Sequence, residues 1–511
     1  MRAGAALAVA MAALAVFAIT THDDDGGAAV PDRPPVVVLI FDEFPADALL
    51  RPDGSIDAER YPHFADLAAH STWFPNAFTV YDSTFKSVPA IMDAVTPRRG
   101  TAADFRSHPR SVYTLMDRLG YGIVDVASGE ALCPPRICRD VRTRRPGVLK
   151  RLAGGGRPPR LHAWVGSIRD RGRPTFYLHH ALLPHEPWIY LPSGHQDRPS
   201  GNDPIPEING PKGFADPALT NHNETRHLLQ VGFVDRQVGL LLARLRRTGL
   251  FDQALIVVTA DHGYAFEVGV KDRRLVTDSN VEEIAPVPMF VKAPGQTEGE
   301  VDPSFMRSLD VTPTIADLLG ARIDWPHDGR SAFAASTRRR AGVALPTRDF
   351  SRVIRIGRAD LARRRAENRR RRARLVLTGA QSDVMFGSPW ASLYRVGSHP
   401  ELAGREAGSL PAAPAGTARA LLANAGLLED VDPADELLPT RITGTIVGGT
   451  GELRDVAVAV NGRIRATGRS FRLRGKPKER FSMLVPEDSL RRGTNPVDLF
   501  EVRPDGRLAP L

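Results

Sequence analysis

Residues that could hold a metal ion follow three apolar runs of the chain. Asp42 and Glu43 come directly after "VVVLIF", Asp261 and His262 directly after "LIVVTA", and His185 shortly after "TFYLHHALL". Carboxylate oxygens combined with an imidazole nitrogen suit a divalent cation such as Mn, Mg, Ca or Zn. Each pair alone could equally be a helix cap or a turn. Two such pairs after separate runs favour a metal centre.

The stretch "TVYDSTFKSVPAIMDA" at 79–94 offers a nucleophile. Ser83 and Thr84 precede "SVPAIMDA", which predicts the start of a helix, and a hydroxyl at a helix N-terminus lies in a positive field. Beside a metal ion, such a hydroxyl could lose its proton at neutral pH and attack an ester. Lys86 could hold an anionic oxygen of the substrate. These residues alone leave both hydroxyls open as the nucleophile, with simple turn chemistry as the alternative.

The apolar runs themselves are typical of strands that are buried on both faces. Helical patterns occur at 61–71 and 227–249, and the second ends in arginines and Gly249, as helix C-termini commonly do. Strands that alternate with helices predict an α/β domain with a mostly parallel sheet. Ligand sites in such sheets lie beyond the carboxyl ends of the strands. The predicted strands are 35–41, 175–183, 254–260 and 287–293.

The first 22 residues predict export. An apolar run at 3–19 follows Arg2 and ends in an acidic stretch. We expect an uncleaved membrane anchor, or a secreted protein if the segment is a cleaved signal sequence. In both cases the rest of the chain is expected outside the cytoplasm, in the cell envelope. Cys133 and Cys138 are then expected to form a disulfide, because thiols oxidise in such compartments.

The remaining chain divides into a linker, the α/β domain, a basic region and a small β-sandwich, at 23–35, 36–335, 336–437 and 438–511. In the basic region, "ARRRAENRRRRAR" at 362–374 predicts a solvated helix or linker, with contact to anionic lipid or a polyanionic substrate as the alternative. Nucleic acid is disfavoured because no aromatic platform accompanies the charge. The Asn461-Gly462 pair between two β-rich runs predicts a hairpin of the sandwich.

Seven segments carry a family resemblance. They are "PPVVVLIFDEFP", "RYPHFADLAAHSTWFPNAF", "STFKSVPAIMD", "LPHEPWIYLPSG", "VTADHGY", "APVPMFVKAPG" and "SLDVTPTIADLLG". In this order they resemble the sulfatase-like branch of the alkaline phosphatase superfamily. Within that branch they are most similar to envelope phosphoglycerol and phosphoethanolamine transferases and to actinobacterial sulfatase-like membrane proteins. The likeness covers roughly residues 33–335. It implies an alkaline-phosphatase-like sandwich with a mostly parallel central sheet.

The resemblance also implies a role for each candidate residue. Thr84 matches the nucleophile position and is favoured over Ser83 because of its spacing to "SVPAI". His185 matches a histidine that contacts the transferred group or protonates the leaving group. Apart from the resemblance, the charge of Lys86 would help the metal to stabilise the phosphoryl oxygens. The implied metal ligands are Asp42, Thr84, Asp261 and His262, with Glu43 assisting.

Two departures from the family pattern bear on the chemistry. Sulfatases that depend on formylglycine oxidise a Cys or Ser, whereas the methyl group on the β-carbon of Thr84 prevents the aldehyde from forming. The arginine of that motif is replaced by Val88. Two-zinc members carry further histidines after "DHG", and none lies between His262 and His327. One metal ion is therefore expected, although a second could be bound by His179, His180 or His185.

Together these features predict a metal-dependent hydrolase or transferase of the cell envelope. It would transfer or hydrolyse a phosphoryl-linked group of an envelope lipid or glycopolymer through a covalent Thr84 intermediate. The net charge of +9 suits such a polyanionic partner. Two alternatives remain. One is a sulfate-ester hydrolase that works without formylglycine on a sulfated partner, and the other is a catalytically silent envelope protein that binds glycan or lipid.

Overall fold

The computed structural model describes residues 33–126, 131–138, 157–197, 216–270, 272–377, 389–395, 397–423, 425–449, 451–473 and 475–511. The predicted signal or anchor at 1–22 and most of the predicted linker lie outside the described residues. None of the helices within the described ranges is long and apolar enough to cross a bilayer.

A seven-stranded sheet forms the centre of the N-terminal part. The first eight strands are β1 (Val36–Asp42), β2 (Thr72–Trp73), β3 (Gly122–Val126), β4 (Thr175–Pro184), β5 (Gln196–Asp197), β6 (Leu255–Ala260), β7 (Met289–Lys292) and β8 (Glu300–Val301). All except β5 join one sheet in the order β3-β4-β1-β6-β7-β2-β8. The first four strands of that order are mutually parallel, and β7 is antiparallel to both of its neighbours. The predicted mostly parallel sheet is confirmed, and the fourth predicted strand is its antiparallel member.

Helices cover both faces of this sheet, because the residues of β1 alternate between two apolar clusters. The odd-numbered residues from Val37 to Phe41 pack with helices α1, α4 and α5, and the even-numbered residues from Val36 to Ile40 pack with α2, α3 and α7. The helices are α1 (Pro62–Ala68), α2 (Thr84–Asp93), α3 (Val112–Arg118), α4 (Arg157–Ser167), α5 (Pro217–Arg247), α6 (Val281–Ile284), α7 (Val311–Leu318), α8 (Ala335–Arg338) and α9 (Arg358–Leu377). Short 3-10 turns lie at Ala46–Leu49, Ser308–Asp310, Ala391–Arg395, Pro400–Leu402, Ala407–Ser409, Ala425–Leu428 and Glu487–Ser489.

The predicted basic run lies in α9, and one face of this helix is buried. Arg365 is buried against Asp47, with 2.6 Å between guanidinium and carboxylate, and Arg372 is buried against Glu224 at 2.8 Å. The interpretation of a solvated run is wrong for this face, because carboxylates from distant parts of the α/β domain neutralise it. Arg363 on the opposite face is exposed.

A hairpin of β9 (Gly342–Pro346) and β10 (Val353–Gly357) precedes α9. Its apolar residues pack against Phe78 and Ala265. In the sequence, Phe78 lies shortly before Thr84 and Ala265 lies shortly after His262. The hairpin therefore packs with the α/β domain, although it lies beyond residue 335, where the sequence predicts that this domain ends.

The C-terminal part is a β-sandwich. Its strands are β11 (Arg419–Leu422), β13 (Arg441–Val447), β14 (Asp455–Val460), β15 (Arg463–Arg469), β16 (Phe471–Arg472), β17 (Glu479–Leu484), β18 (Val497–Val502) and β19 (Leu508–Pro510), and the short strand β12 (Leu437–Leu438) lies outside its two sheets. Two antiparallel sheets, ordered β11-β13-β17-β16 and β15-β14-β18-β19, enclose one apolar cluster. Asn461 and Gly462 join β14 to β15 with φ of 54° and 81°, the left-handed backbone of a tight hairpin turn. The predicted hairpin is confirmed.

A strand pair and an ion pair join the sandwich to the α/β domain, and a disulfide closes a short loop within the α/β domain. The short strand β5 pairs in parallel with β12, and a buried Arg441–Asp197 ion pair at 3.1 Å fastens the same junction between the sandwich and the α/β domain. Cys133 and Cys138 form a disulfide, as predicted.

Candidate active site

Asp42, Asp261 and His262 converge at the carboxyl edge of the sheet. Asp42 is the last residue of β1, and the other two directly follow the neighbouring strand β6. His262 Nε2 lies 3.9 Å from Asp42 Oδ1 and 3.5 Å from Asp261 Oδ2. All three residues are buried. The predicted convergence at this edge therefore occurs, and it follows from the parallel register of the two strands.

Thr84 completes this group. It is the first residue of α2, and Ser83 is the residue that caps the helix. Thr84 Oγ1 lies 3.4 Å from both Asp42 Oδ1 and His262 Nε2. The structure thus places the hydroxyl of Thr84, and not that of Ser83, within hydrogen-bonding distance of these two side chains. The hydroxyl also stands at the positive end of a ten-residue helix.

The chemistry of this group fits a divalent cation. Burial raises the pKa of Asp42 and of Asp261 to about 6, and repulsion from Asp261 adds to the shift of Asp42. Asp261 Oδ1 accepts hydrogen bonds from the backbone N–H of Glu43 and of His262, whereas its buried Oδ2 has no hydrogen-bond partner among the described residues. Buried carboxylates normally pair with a cation. His262 Nδ1 donates to the carbonyl of Gly263 at 2.9 Å, which leaves Nε2 as a ligand atom.

A second group, built on Glu43, lies beside the first. Glu43 is fully buried and has a φ of 60°, a strained backbone that needs support from its surroundings. Arg273 provides it by donating to Glu43 Oε1 at 2.8 Å and Oε2 at 3.2 Å. Burial alone would raise the pKa of Glu43, but Arg273, His185 and Arg274 together hold it well below its usual value.

His185 faces Glu43 through Nε2, and hydrogen bonds at its Nδ1 and its backbone carbonyl hold it in place. Its Nε2 lies 3.4 Å from Glu43 Oε1, and its Nδ1 donates to the Glu186 carbonyl at 2.7 Å. Arg157 donates to the carbonyls of His185 and Glu186 at 2.6 Å and 2.5 Å, and Gln230 donates to the His185 carbonyl at 3.0 Å. The segment after β4 is therefore held rigidly, with the imidazole next to the first group.

Lys86 does not point to this centre. Its ammonium group donates to the carbonyls of Arg98 and Thr101 at 2.7 Å and 2.6 Å and to Thr101 Oγ1 at 2.8 Å. All three of its donors are therefore used to hold the loop around residue 100. The predicted contact with a substrate oxygen is not supported, because the backbone carbonyls of that loop take its place.

The other histidines named from the sequence differ in position. His179 Nδ1 donates to the Val126 carbonyl at 2.6 Å, and its ring packs against Trp164. His179 is therefore a structural residue of the core. His180 Nε2 lies 3.9 Å from Asp261 Oδ2 and borders the first group. Arg273 and Arg157 were not predicted as site residues, because basic segments of the sequence do not indicate which distant carboxylates or carbonyls they contact.

A pair of residues next to Thr84, Asp82 and Arg348, was also not predicted from the sequence. Arg348, from the turn between β9 and β10, donates to Asp82 Oδ1 at 3.2 Å and to the Asp82 carbonyl at 3.0 Å. Asp82 Oδ2 in turn accepts from the N–H of Val276 at 3.0 Å. These contacts fasten the turn that carries Thr84 to the segment that carries Arg273.

Comparison with known proteins gives a partial family match. Residues 159–321 match the family model "Sulfatase". This segment contains His185, Asp261, His262 and Arg273, whereas Asp42 and Thr84 precede it.

Curated relatives match this chain over short segments, as two examples show. A multifunctional alkaline phosphatase superfamily protein, PehA, from Trinickia caryophylli is 35% identical over 102 residues, which is 19% of each chain. Lipoteichoic acid synthase 2 from Bacillus subtilis is 28% identical over 113 residues, which is 21% of this chain and 16% of that protein. The matches thus span about a fifth of the relatives or less. Among solved structures, the phosphonate monoester hydrolase from Silicibacter pomeroyi aligns with a TM-score of 0.40 and 20% identity over 58% of this chain and 76% of that chain.

Proposed function

We propose that the protein is a metal-dependent enzyme that transfers or hydrolyses a phosphoryl-linked group through a covalent bond to Thr84. The match of residues 159–321 to the family model "Sulfatase" supports an ester-cleaving enzyme. One observation carries the proposal. Thr84 Oγ1 lies 3.4 Å from both Asp42 Oδ1 and His262 Nε2, which places a hydroxyl within the residues that fit a cation.

The metal ligands in this proposal are Asp42, Thr84, Asp261 and His262. A divalent ion held there would lower the pKa of the threonine hydroxyl and offset negative charge on the phosphoryl oxygens. Glu43 is left out of this ligand set because both of its carboxylate oxygens accept hydrogen bonds from Arg273.

The reaction has two steps. Thr84 Oγ1 loses its proton to solvent and attacks phosphorus; the Oγ1–P bond forms and the P–O bond to the leaving group breaks. His185 Nε2 gives a proton to the leaving oxygen. Water or an acceptor alcohol then attacks the same phosphorus and gives its proton to His185 Nε2, while the Oγ1–P bond breaks and Oγ1 takes a proton back from solvent. The positive end of α2 stabilises the anionic group throughout.

A phosphoryl substrate is favoured over sulfate by the chain's own residues. Threonine cannot be converted to formylglycine, and the motif arginine that would accompany it is replaced by Val88, which packs in the core. The match to the family model "Sulfatase" supports the second candidate, a sulfate-ester hydrolase that uses Thr84 directly. A silent protein would not need a buried pair of carboxylates with raised pKa values, whose burial is costly without a bound cation.

We also propose that the enzyme works outside the cytoplasm on an envelope lipid or glycopolymer that carries phosphoryl groups. The apolar segment at 3–19 and the Cys133–Cys138 disulfide support export, since disulfides persist in oxidising compartments. The similarity to a lipoteichoic acid synthase supports an envelope substrate. An N-terminal anchor would hold the enzyme at the membrane surface.

A panel of chromogenic esters tests the reaction class. The purified protein, stripped of metal and then supplied with Mn or Zn, is assayed on p-nitrophenyl phosphate, bis-p-nitrophenyl phosphate and p-nitrophenyl sulfate. We expect metal-dependent release from at least one phosphoryl ester and none from a Thr84→Ala variant. Faster release from the sulfate would replace the first candidate with the second. No metal-dependent release from any ester would contradict both.

A further inference from the structure

Phe85 is an exposed aromatic residue directly next to the proposed nucleophile. Its side chain is 62% exposed, the highest fraction among the large apolar side chains that the structure describes. It belongs to neither of the two apolar clusters that line the central sheet, whereas residues 87–93 of the same helix are all buried. Single exposed apolar side chains are common on protein surfaces. The position of Phe85 in α2, and not its exposure alone, therefore indicates a role.

The geometry of α2 directs Phe85 towards the entrance of the site. Thr84 and Phe85 are the first two residues of this helix. Because the Cα–Cβ bonds of an α-helix tilt towards its N-terminus, the ring lies over the end of α2 at which Thr84 Oγ1 stands. Consecutive residues differ by about 100° around the helix axis, so Thr84 faces Asp42 and His262 while Phe85 flanks them. A substituent on phosphorus that extends towards solvent therefore passes this ring.

The surroundings of Phe85 are polar. Ser83 and Lys86 lie on either side of the Thr84–Phe85 pair, and the ammonium group of Lys86 holds the loop around residue 100. Arg98 and Arg99 of this loop are exposed. A long acyl chain needs a continuous apolar groove, whereas one ring among polar neighbours fits a molecule that has an apolar face and polar edges. A sugar ring has this character, because its C–H groups can lie on an aromatic face while its hydroxyls remain in contact with water or polar side chains.

We propose that Phe85 is a substrate-binding residue that stacks on a ring of the leaving group and selects substrates in which the phosphoryl group is attached to a sugar. The inference rests on the proposed function, and it narrows the envelope lipid or glycopolymer to a glycan that carries phosphoryl groups. Phe85 takes no part in making or breaking bonds. Its contact with the ring is the same before and during the attack, so it lowers KM and has little effect on kcat.

Four phosphoryl esters that all release a primary alcohol test this contact. Glucose 6-phosphate and benzyl phosphate carry a ring, whereas glycerol 3-phosphate and hexyl phosphate do not. The full chain, loaded with Mn or Zn, is assayed for release of the alcohol from each monoester and from its methyl diester. We expect Phe85→Ala to raise KM about tenfold for the two ring-bearing esters, as the loss of a stacking aromatic residue does at other sites. Its kcat on all esters, and its KM for glycerol 3-phosphate, should stay within about twofold of the wild type.

Two further variants separate the flat ring from apolar surface in general. Phe85→Tyr keeps the aromatic face and should keep KM for glucose 6-phosphate within about twofold of the wild type, whereas Phe85→Leu keeps apolar volume only and should behave like Phe85→Ala. Val301→Ala is the matched control, because Val301 is 60% exposed on β8 at the edge of the central sheet. It should leave KM and kcat unchanged for all four esters.

The pattern across the esters decides the outcome. A larger loss for hexyl phosphate than for the ring-bearing esters would overturn the inference in favour of an acyl chain, and a loss confined to benzyl phosphate would overturn the assignment to a sugar. An equal loss for all four esters would also overturn it, because Phe85 would then be a structural residue of the site. Turnover of none of the esters by the wild type would instead contradict the proposed function, and the inference with it.

Discussion

Replacing Arg365 by alanine tests whether α9 is an integral part of the α/β domain. The guanidinium donates to both Asp47 oxygens at 2.6–3.1 Å and to the Pro75 carbonyl at 2.9 Å. The two side chains are 5% and 1% exposed. Removing one partner of a buried ion pair costs about 3–5 kcal/mol, because the other charge stays buried. Arg369, at 3.4 Å from Asp47, offsets part of this loss, so we expect a value near the lower end.

Arg363→Ala is the matched control on the same helix. Arg363 is 58% exposed and pairs with Asp360 and Glu367, which are also exposed, and such pairs are worth less than about 1 kcal/mol. The change in helix propensity is the same for both substitutions. Thermal unfolding followed by circular dichroism should therefore place the Tm of Arg365→Ala about 2–4 °C below that of Arg363→Ala.

A third variant separates charge burial from packing. Arg365→Ala/Asp47→Asn removes the uncompensated carboxylate and should recover part of the lost Tm. Equal Tm values for the two single variants would show that the Arg365–Asp47 pair adds nothing to stability, and would support a solvated basic helix instead.

Three further outcomes follow from the site. Metal affinity should be full at pH 7 and fall by at least about tenfold at pH 5 in calorimetric titrations, because protons compete for Asp42 and Asp261 as the pH drops through their raised pKa of about 6. Gly263→Ala should lower the unfolding free energy by about 1–3 kcal/mol in urea titrations, since a Cβ would lie 2.4 Å from the Glu283 carbonyl; unchanged stability would contradict that contact. Lys86→Met should lower the Tm, and it should reduce kcat/KM far less than Thr84→Ala does. A comparable loss of kcat/KM would indicate that Lys86 contacts the substrate.

The sheet and the first group of the site could be predicted because their signals are local. Each buried strand is a continuous apolar run, and polar residues that follow such runs must emerge at the carboxyl edge of a parallel sheet. Asp42 and Asp261 meet for that reason, although 219 positions separate them along the chain. The helical segment that follows Ser83 and Thr84 placed both hydroxyls at the N-terminus of α2, and the family resemblance favoured Thr84.

The charged contacts were not predictable because their partners lie far apart in sequence. Glu43 pairs with Arg273 across 230 positions and Asp47 with Arg365 across 318. From the sequence alone a run of arginines is expected to be solvated, because the carboxylates that pair with it cannot be identified. Lys86 was misassigned for the opposite reason: it is close to Thr84 in sequence, but its side chain turns to the loop around residue 100.

In the proposed reaction, Thr84 becomes covalently bonded to the transferred group. The direct measurement is intact-mass spectrometry of the metal-loaded protein, quenched in acid during turnover of a phosphoryl ester, followed by peptide mapping. The account predicts an added mass equal to the transferred phosphoryl group, located on Thr84, present in Ser83→Ala and absent in Thr84→Ala. An adduct on Ser83, or turnover by the Thr84→Ala variant at the wild-type rate, would contradict it.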